Sequence, residues 1–397
     1  MSSAKLLRNP DWRRLWIGNA VSSFGTRATA YAYPFVALAL TGRPGDAALV
    51  GGASLAGNVV GLLPAGNIVD RFGGRRVLIA TATVQALISL AVFLTVAGSA
   101  ATLPLLAVGA CLQGLLGAGP GPSTASIIKE VVFKEDLATA RSLNEARSQA
   151  ASVCGPPIGG GLIGLGLGLP FAFDALSYAV QGYLSKQVRA GYVGGNHGNP
   201  LRAFADGWRF TFGNRPLRAV VVYLFFSNCG EIYLLSVITY GLAAHGESSA
   251  RISLIPSAVA VASIVFAFLT PRILKRFRAG HAMLAAGTVC AAGPALLLAG
   301  HGVPWSASVL ALSLGVQPVI SSVVFAYQAG VTPQEMQGRV GSALVFCSLL
   351  ATPLGAWAAG LTLSHLTGTT GIAIGVAAMG IAWLPLVGNR HLRSIDL

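Results

Sequence analysis

The stretch Gly66-Asn67-Ile68-Val69-Asp70-Arg71-Phe72-Gly73-Gly74-Arg75-Arg76 packs an acid, three arginines and a glycine pair into a turn between long apolar segments. On its two sides lie Ala47 to Val69 and Val77 to Ala97. Each holds about the ~20 apolar residues that cross a bilayer. The turn therefore reads as a short loop at a membrane surface.

Composition extends this reading to the whole chain. Hydrophobic residues make up 54% of the 397 and charged residues 10%, with a mean hydropathy of +0.67. In lipid each backbone amide must find its partner within its own segment. None of the apolar runs alternates with the period of a barrel strand, so helix is the remaining solution. Twelve spans are expected, near residues 15–41, 47–69, 76–98, 103–128, 143–168, 169–185, 217–243, 250–271, 281–300, 304–331, 340–365 and 370–387. The predicted fold is an all-α membrane protein of twelve transmembrane helices in two pseudo-symmetric six-helix bundles. No removable signal is expected, because Lys5, Arg8, Arg13 and Arg14 precede a full-length span without a small-residue cleavage site.

A net charge of +14 would fit nucleic acid if it were spread over a surface, but here it is a topology signal. On the twelve-span reading 24 of the 27 Lys and Arg residues fall at the termini or in alternate loops, and Arg43 and Arg251 fall opposite. The positive-inside rule then puts both termini in the cytoplasm. Cys111, Cys154, Cys229, Cys290 and Cys347 lie within apolar spans without paired spacing, and the six histidines are scattered. No metal site, cofactor or ATP-binding loop is therefore expected.

Between the sixth and seventh spans the chain turns polar, which divides it into residues 1–185, a cytoplasmic linker 186–215 containing Gly194 to Pro200, and residues 216–397. A repeat at an offset near 204 relates the halves: Arg14 falls on Arg218, Arg27 on Glu231 and Gly42 on Gly246. Duplicated halves with a midplane substrate site are a common plan of secondary transporters.

These residues resemble the major facilitator superfamily over nearly the whole chain. Gly66 to Arg76 is similar to its motif A, and Gly155-Pro156-Pro157-Ile158-Gly159-Gly160 to the motif C of drug antiporters. Pro170 to Tyr178 and Asp206 to Pro216 resemble a bacterial branch of macrolide, siderophore and other exporters. One departure is Ala110, three residues before Gln113-Gly114, where motif B has an arginine. Proton coupling must then use other intramembrane charges, or the chain runs as a facilitator.

Three charges inside the spans are candidates for substrate or proton coupling: Arg27, Glu231 and Asp174. Arg27 and Glu231 are expected at similar depth and facing one another, with a purely structural ion pair as the alternative. Asp174 either couples protons or caps its helix. Tyr31, Tyr33, Gln113, Asn228, Gln317 and Tyr327 are candidate substrate contacts. Gly66, Asp70, Arg71, Gly73, Arg75, Arg76 and Glu130 form a candidate conformational latch, or simply an orientation signal. Gly155, Pro156, Gly159 and Gly160 are expected to make a tight helix seam. The resemblance implies a monomeric, non-enzymatic exporter of an amphipathic drug or natural product in the bacterial cytoplasmic membrane, driven by proton antiport. A siderophore or metabolite carrier, and a transport-inactive sensor, are the alternatives. The expected partners are the small molecule, protons and lipid.

Overall fold

The computed structural model describes residue 6, residues 8–191 and residues 200–388. Of the expected linker, residues 192–199 lie outside the described residues. All regular structure among the described residues is helical. The helices are α1 (Pro10–Thr41), α2 (Pro44–Phe72), α3 (Gly74–Ala97), α4 (Leu103–Gly117), α5 (Pro120–Val131), α6 (Leu137–Leu165) and α7 (Leu169–Lys186). After α8 (Pro200–Gly213) come α9 (Arg215–Ala244), α10 (Leu254–Arg276), α11 (Ala279–Ala292), α12 (Val303–Leu314), α13 (Gln317–Val331), α14 (Gln337–His365) and α15 (Gly368–Gly388). All twelve predicted spans are present. Four of them are interrupted: the fourth as α4 and α5, the tenth as α12 and α13, the eighth by a single turn Ser249–Ile252 before α10, and the ninth where α11 passes into the 3-10 stretch Gly293–Leu298; in each a proline follows within a turn of the break. Proline has no amide to continue the ladder, so each break is written in the sequence.

The expected repeat is visible in the helix ends. Asn9 caps α1 by accepting the amides of Asp11 and Trp12, and Asn214 caps α9 by accepting that of Leu217. At the other end Gly42 and Gly246 both turn left-handed, at φ +69° and +88°, where a side chain would be strained. The sixth and fourteenth helices each run 29 residues and follow a single 3-10 turn.

The chain forms two compact units, Met1–Gly42 with Leu49–His197 and Ser248–Ser253, and Arg43–Ala48 with Gly198–Glu247 and Leu254–Leu397. In the first, α1 packs along α6 and α7, and α7 along α3. In the second, α9 packs along α14 and α15, and α10 along α12. Backbone contact is close wherever glycines meet. A Cβ on Gly57, Gly61 or Gly114 would lie 2.0, 2.1 and 2.0 Å from the carbonyl oxygens of Cys111, Leu115 and Ser54 respectively. Between helices in lipid such close approach replaces the hydrophobic effect as the source of association.

Nine helical segments among the described residues are long and apolar enough to cross a membrane on composition alone. The long helices α1, α6 and α7 are not among them. Their charged and polar residues are the ones from which much of the candidate site is built.

Candidate functional site

Arg27 stands past the middle of α1 and is exposed. Its backbone position is set by α6: a Cβ on Gly155 would fall 2.2 Å from Arg27 Cβ, and one on Gly159 only 2.4 Å from the carbonyl oxygen of Ala28. Any side chain at those two glycines would push α1 away. Pro156 and Pro157 sit within the continuous α6. Gly160 faces a different neighbour, the single helical turn Ser249–Ile252, whose Ser249 hydroxyl donates to its carbonyl at 3.2 Å. Tyr31 donates to the carbonyl of the same Ser249 at 2.8 Å and stacks on Phe35.

Glu231 lies half-buried at the corresponding depth of α9, in the second unit. Gln317, the first residue after the break before α13, donates to Ser227 Oγ at 3.2 Å and to Glu231 Oε2 at 3.5 Å. Asn228 turns its amide to its own helix, donating to the carbonyl of Leu224, and Tyr327 is half-buried further along α13. The structure thus joins Glu231 and Gln317 by a hydrogen bond, and among the described residues neither Asn228 nor Tyr327 bonds to them.

Asp174 is neither at a helix end nor a cap. It occupies the second turn of α7, which begins at Leu169, and is 1% exposed. Its Oδ2 accepts from Ser89 on α3 at 2.7 Å, and Ser89 accepts from Gln113 on α4 at 2.6 Å. The Gln113 amide also reaches the carbonyl of Gln85 at 3.0 Å. Gln85 in turn donates to Tyr178 at 2.7 Å, and Tyr178 meets Thr26 at 2.8 Å. Gln113 is therefore part of a buried network around Asp174. Tyr33 is packed in the core of the same unit, edge-on to Phe171. Helix geometry admits the carboxyl because Gly25 faces it, where a Cβ would lie 2.7 Å from Oδ1 and 2.2 Å from Ser177 Oγ.

The glycine-arginine turn between α2 and α3 is held by its own unit. Gly73 adopts φ +85°, and Gly74 abuts α5, where a Cβ would fall 2.6 Å from the carbonyl oxygen of Ser123. Arg75 donates to the carbonyls of Ser185 and Lys186 at 3.3 and 2.6 Å, so it satisfies the last turn of α7. Gly66, Asp70, Arg71, Arg76 and Glu130 are exposed.

One charge inside the expected fifth span, 143–168, was missing from the three candidates. Arg147 lies in the third turn of α6, half-buried, and donates to the Asn19 carbonyl, to Ser23 Oγ and to Asn144 Oδ1. Asn19 also donates to Thr124 at 3.0 Å and accepts from Gln181 at 2.8 Å. The residues Asn19, Ser22, Thr26 and Thr29 recur at helical spacing along α1, so this polar stripe was readable as one face of a helix.

Two bundles of interrupted helices with charges past the middle of equivalent spans define a polytopic membrane carrier. The family described as Major Facilitator Superfamily matches residues 15–356, and the chain belongs to it as a multi-pass membrane transporter. No curated protein sequence matches the chain. Among solved structures, the nucleoside transporter NupG is similar at a TM-score of 0.79 and 10% identity, covering 95% of this chain and 99% of that one. A bacterial homologue of the iron transporter ferroportin in its inward-facing state is similar at 0.72 and 16%, covering 100% of both chains. A D-xylose-proton symporter is similar at 0.70 and 13%, covering 95% and 96%. At these identities the likeness concerns the fold.

Proposed function

We propose that this transporter exports an amphipathic small molecule from the cytoplasm by proton antiport, working as a monomer by alternating access in a bacterial cytoplasmic membrane, with both termini inside. The observation that carries the reading is the seam of Gly155 and Gly159 against Arg27 and Ala28. It ties the motif that resembles drug antiporters to the α1 helix bearing the intramembrane cation. Glu231, held by Gln317, is the acid that exchanges a proton as substrate passes. Arg27 keeps its charge throughout, since a guanidinium does not release its proton in proteins. A facilitator without proton coupling is the second reading, favoured by Ala110 at the place of the motif B arginine.

Counterflow in proteoliposomes tests the reading, with compounds first selected by the shift they cause in thermal stability. Exchange of labelled for unlabelled compound is the expected result, and binding without exchange would make the protein a sensor. For the latch, Asp70→Asn is expected to abolish most transport while expression and insertion stay unchanged. A parental transport rate in that variant would reduce the turn to an orientation signal.

A further inference from the structure

Oδ2 of Asp174 is satisfied by Ser89, but Oδ1 has no hydrogen-bond partner among the described residues, and no ion pair reaches the group there. Two hydroxyls stand beside the carboxyl, those of Thr29 and Ser177. Thr29 donates to the carbonyls of Gly25 and Pro170 at 2.9 and 3.3 Å, and Ser177 to the carbonyl of Asp174 itself at 2.8 Å. Each hydroxyl has a single proton and must turn it away from its helix carbonyl to serve an ionised Oδ1. An ionised carboxylate is acceptor-only, whereas a carboxylic acid donates and leaves those bonds in place. Among the described residues no group of three or more His, Cys, Asp or Glu side chains gathers here to hold a metal ion. The titratable groups facing Asp174 are the phenols of Tyr33 on α1 and Tyr178 on α7. From α3 and α4 come only Ser89, Gln85 and Gln113.

We propose that Asp174 is a second proton-binding site, enclosed in the first unit, whose proton on Oδ1 closes the seam between α1 and α7 through Thr29 and Ser177. Its release draws the hydroxyl protons of Thr29 and Ser177 to the carboxylate and away from the carbonyls of Gly25, Pro170 and Asp174, and this loosens α1, the helix that carries Arg27. The role rests on the proposed proton coupling, but the binding does not. A polar path leads along the seam: Gln85 donates to Tyr178, Tyr178 to Thr26, and Thr26 to the carbonyl of Ser22 at 2.8 Å, one turn from Asn19.

Infrared spectroscopy of the purified full-length protein reads the carbonyl stretch of a protonated, water-shielded carboxyl. The expected band is present at neutral pH, retained in Glu231→Gln, lost in Asp174→Asn and shifted in Ser89→Ala. Thermal denaturation gives an independent reading. A proton held by the native but not the unfolded chain makes stability fall as pH rises. The wild-type Tm is therefore expected to decline as pH rises from the ordinary carboxylate range to neutrality and to level off above it, whereas that of Asp174→Asn, whose amide donates at any pH, lacks this decline. A band unchanged in Asp174→Asn overturns the proposal, as does a band abolished by sodium chloride at constant pH. If Asp174→Asn fails to fold, an unshifted band in Ser89→Ala overturns it alone. Because neither method reads transport, a protein that shows the band but moves no compound refutes the exporter reading and leaves the site standing.

Discussion

At Gly25 of α1 the neighbouring helix presents Asp174 and Ser177, while at Gly230 of α9 in the second unit, one residue past the place that the repeat pairs with Gly25, it presents Met379. The backbone solution is shared. Gly155 brings α6 onto α1 at Arg27, and Gly355 brings α14 onto α9 at Cys229, where a Cβ would lie 2.2 Å from the carbonyl oxygen. The filling differs. In the first unit the seam holds carboxyl, hydroxyl and amide groups, each of which must find a partner because an unpaired buried polar group costs about 1–3 kcal/mol. In the second it holds a thioether that adapts to irregular space. The same glycine geometry can thus carry either a polar filling or an apolar one, and the polar one encloses the Asp174 carboxyl.

The largest effect expected bears on what the halves share. Gly155→Leu and Gly355→Leu should each cost about 3 kcal/mol or more, since the space belongs to a neighbouring backbone that cannot yield cheaply. Thermal denaturation in detergent measures both. A large loss in one and none in the other would break the equivalence of the two seams.

A smaller pair of substitutions probes what the halves do not share. Gly25→Ala drives a methyl into Ser177 and Asp174 and should cost about 2 kcal/mol. Gly230→Ala meets the sulfur of Met379 at 2.7 Å, the mobile part of a flexible side chain, and should cost less than about 1 kcal/mol. Equal losses would remove the distinction between a rigid polar filling and an adaptable apolar one.

Smaller again is Asn19→Ala, which leaves Gln181 and Thr124 without their partner in the core of the first unit. A loss of about 1.5 kcal/mol in the same assay is expected for such stranded groups. A neutral result would mean that water reaches this end of the stripe and that it is not part of an enclosed path.

The spans and the duplication were legible in the sequence because lipid leaves few alternatives. A backbone without water must be helical, and a left-handed helix stop favours glycine at both Gly42 and Gly246. The seam glycines were legible for a similar reason, as small residues are what let helices touch. The polar core was not. Arg147 lies near the cytoplasmic end of the expected span 143–168 and was passed over there, and amides such as Gln85 and Gln181 give no sign in the sequence of the face they occupy. Asp174 read equally well as a helix cap. Which face a side chain occupies depends on helix rotation, and that was set here by Gly25 and Gly155, each meaningful only once its neighbouring helix was known.

The central claim is that a proton moves inward as substrate moves out, and inverted vesicles test it most directly. With a compound selected by thermal shift, wild-type vesicles are predicted to accumulate it above equilibrium only when their interior is acidified. Glu231→Gln vesicles are predicted to equilibrate the compound without concentrating it. Accumulation by Glu231→Gln equal to wild type would exclude Glu231 as the exchanging acid, and wild-type transport indifferent to the pH gradient would contradict proton antiport altogether.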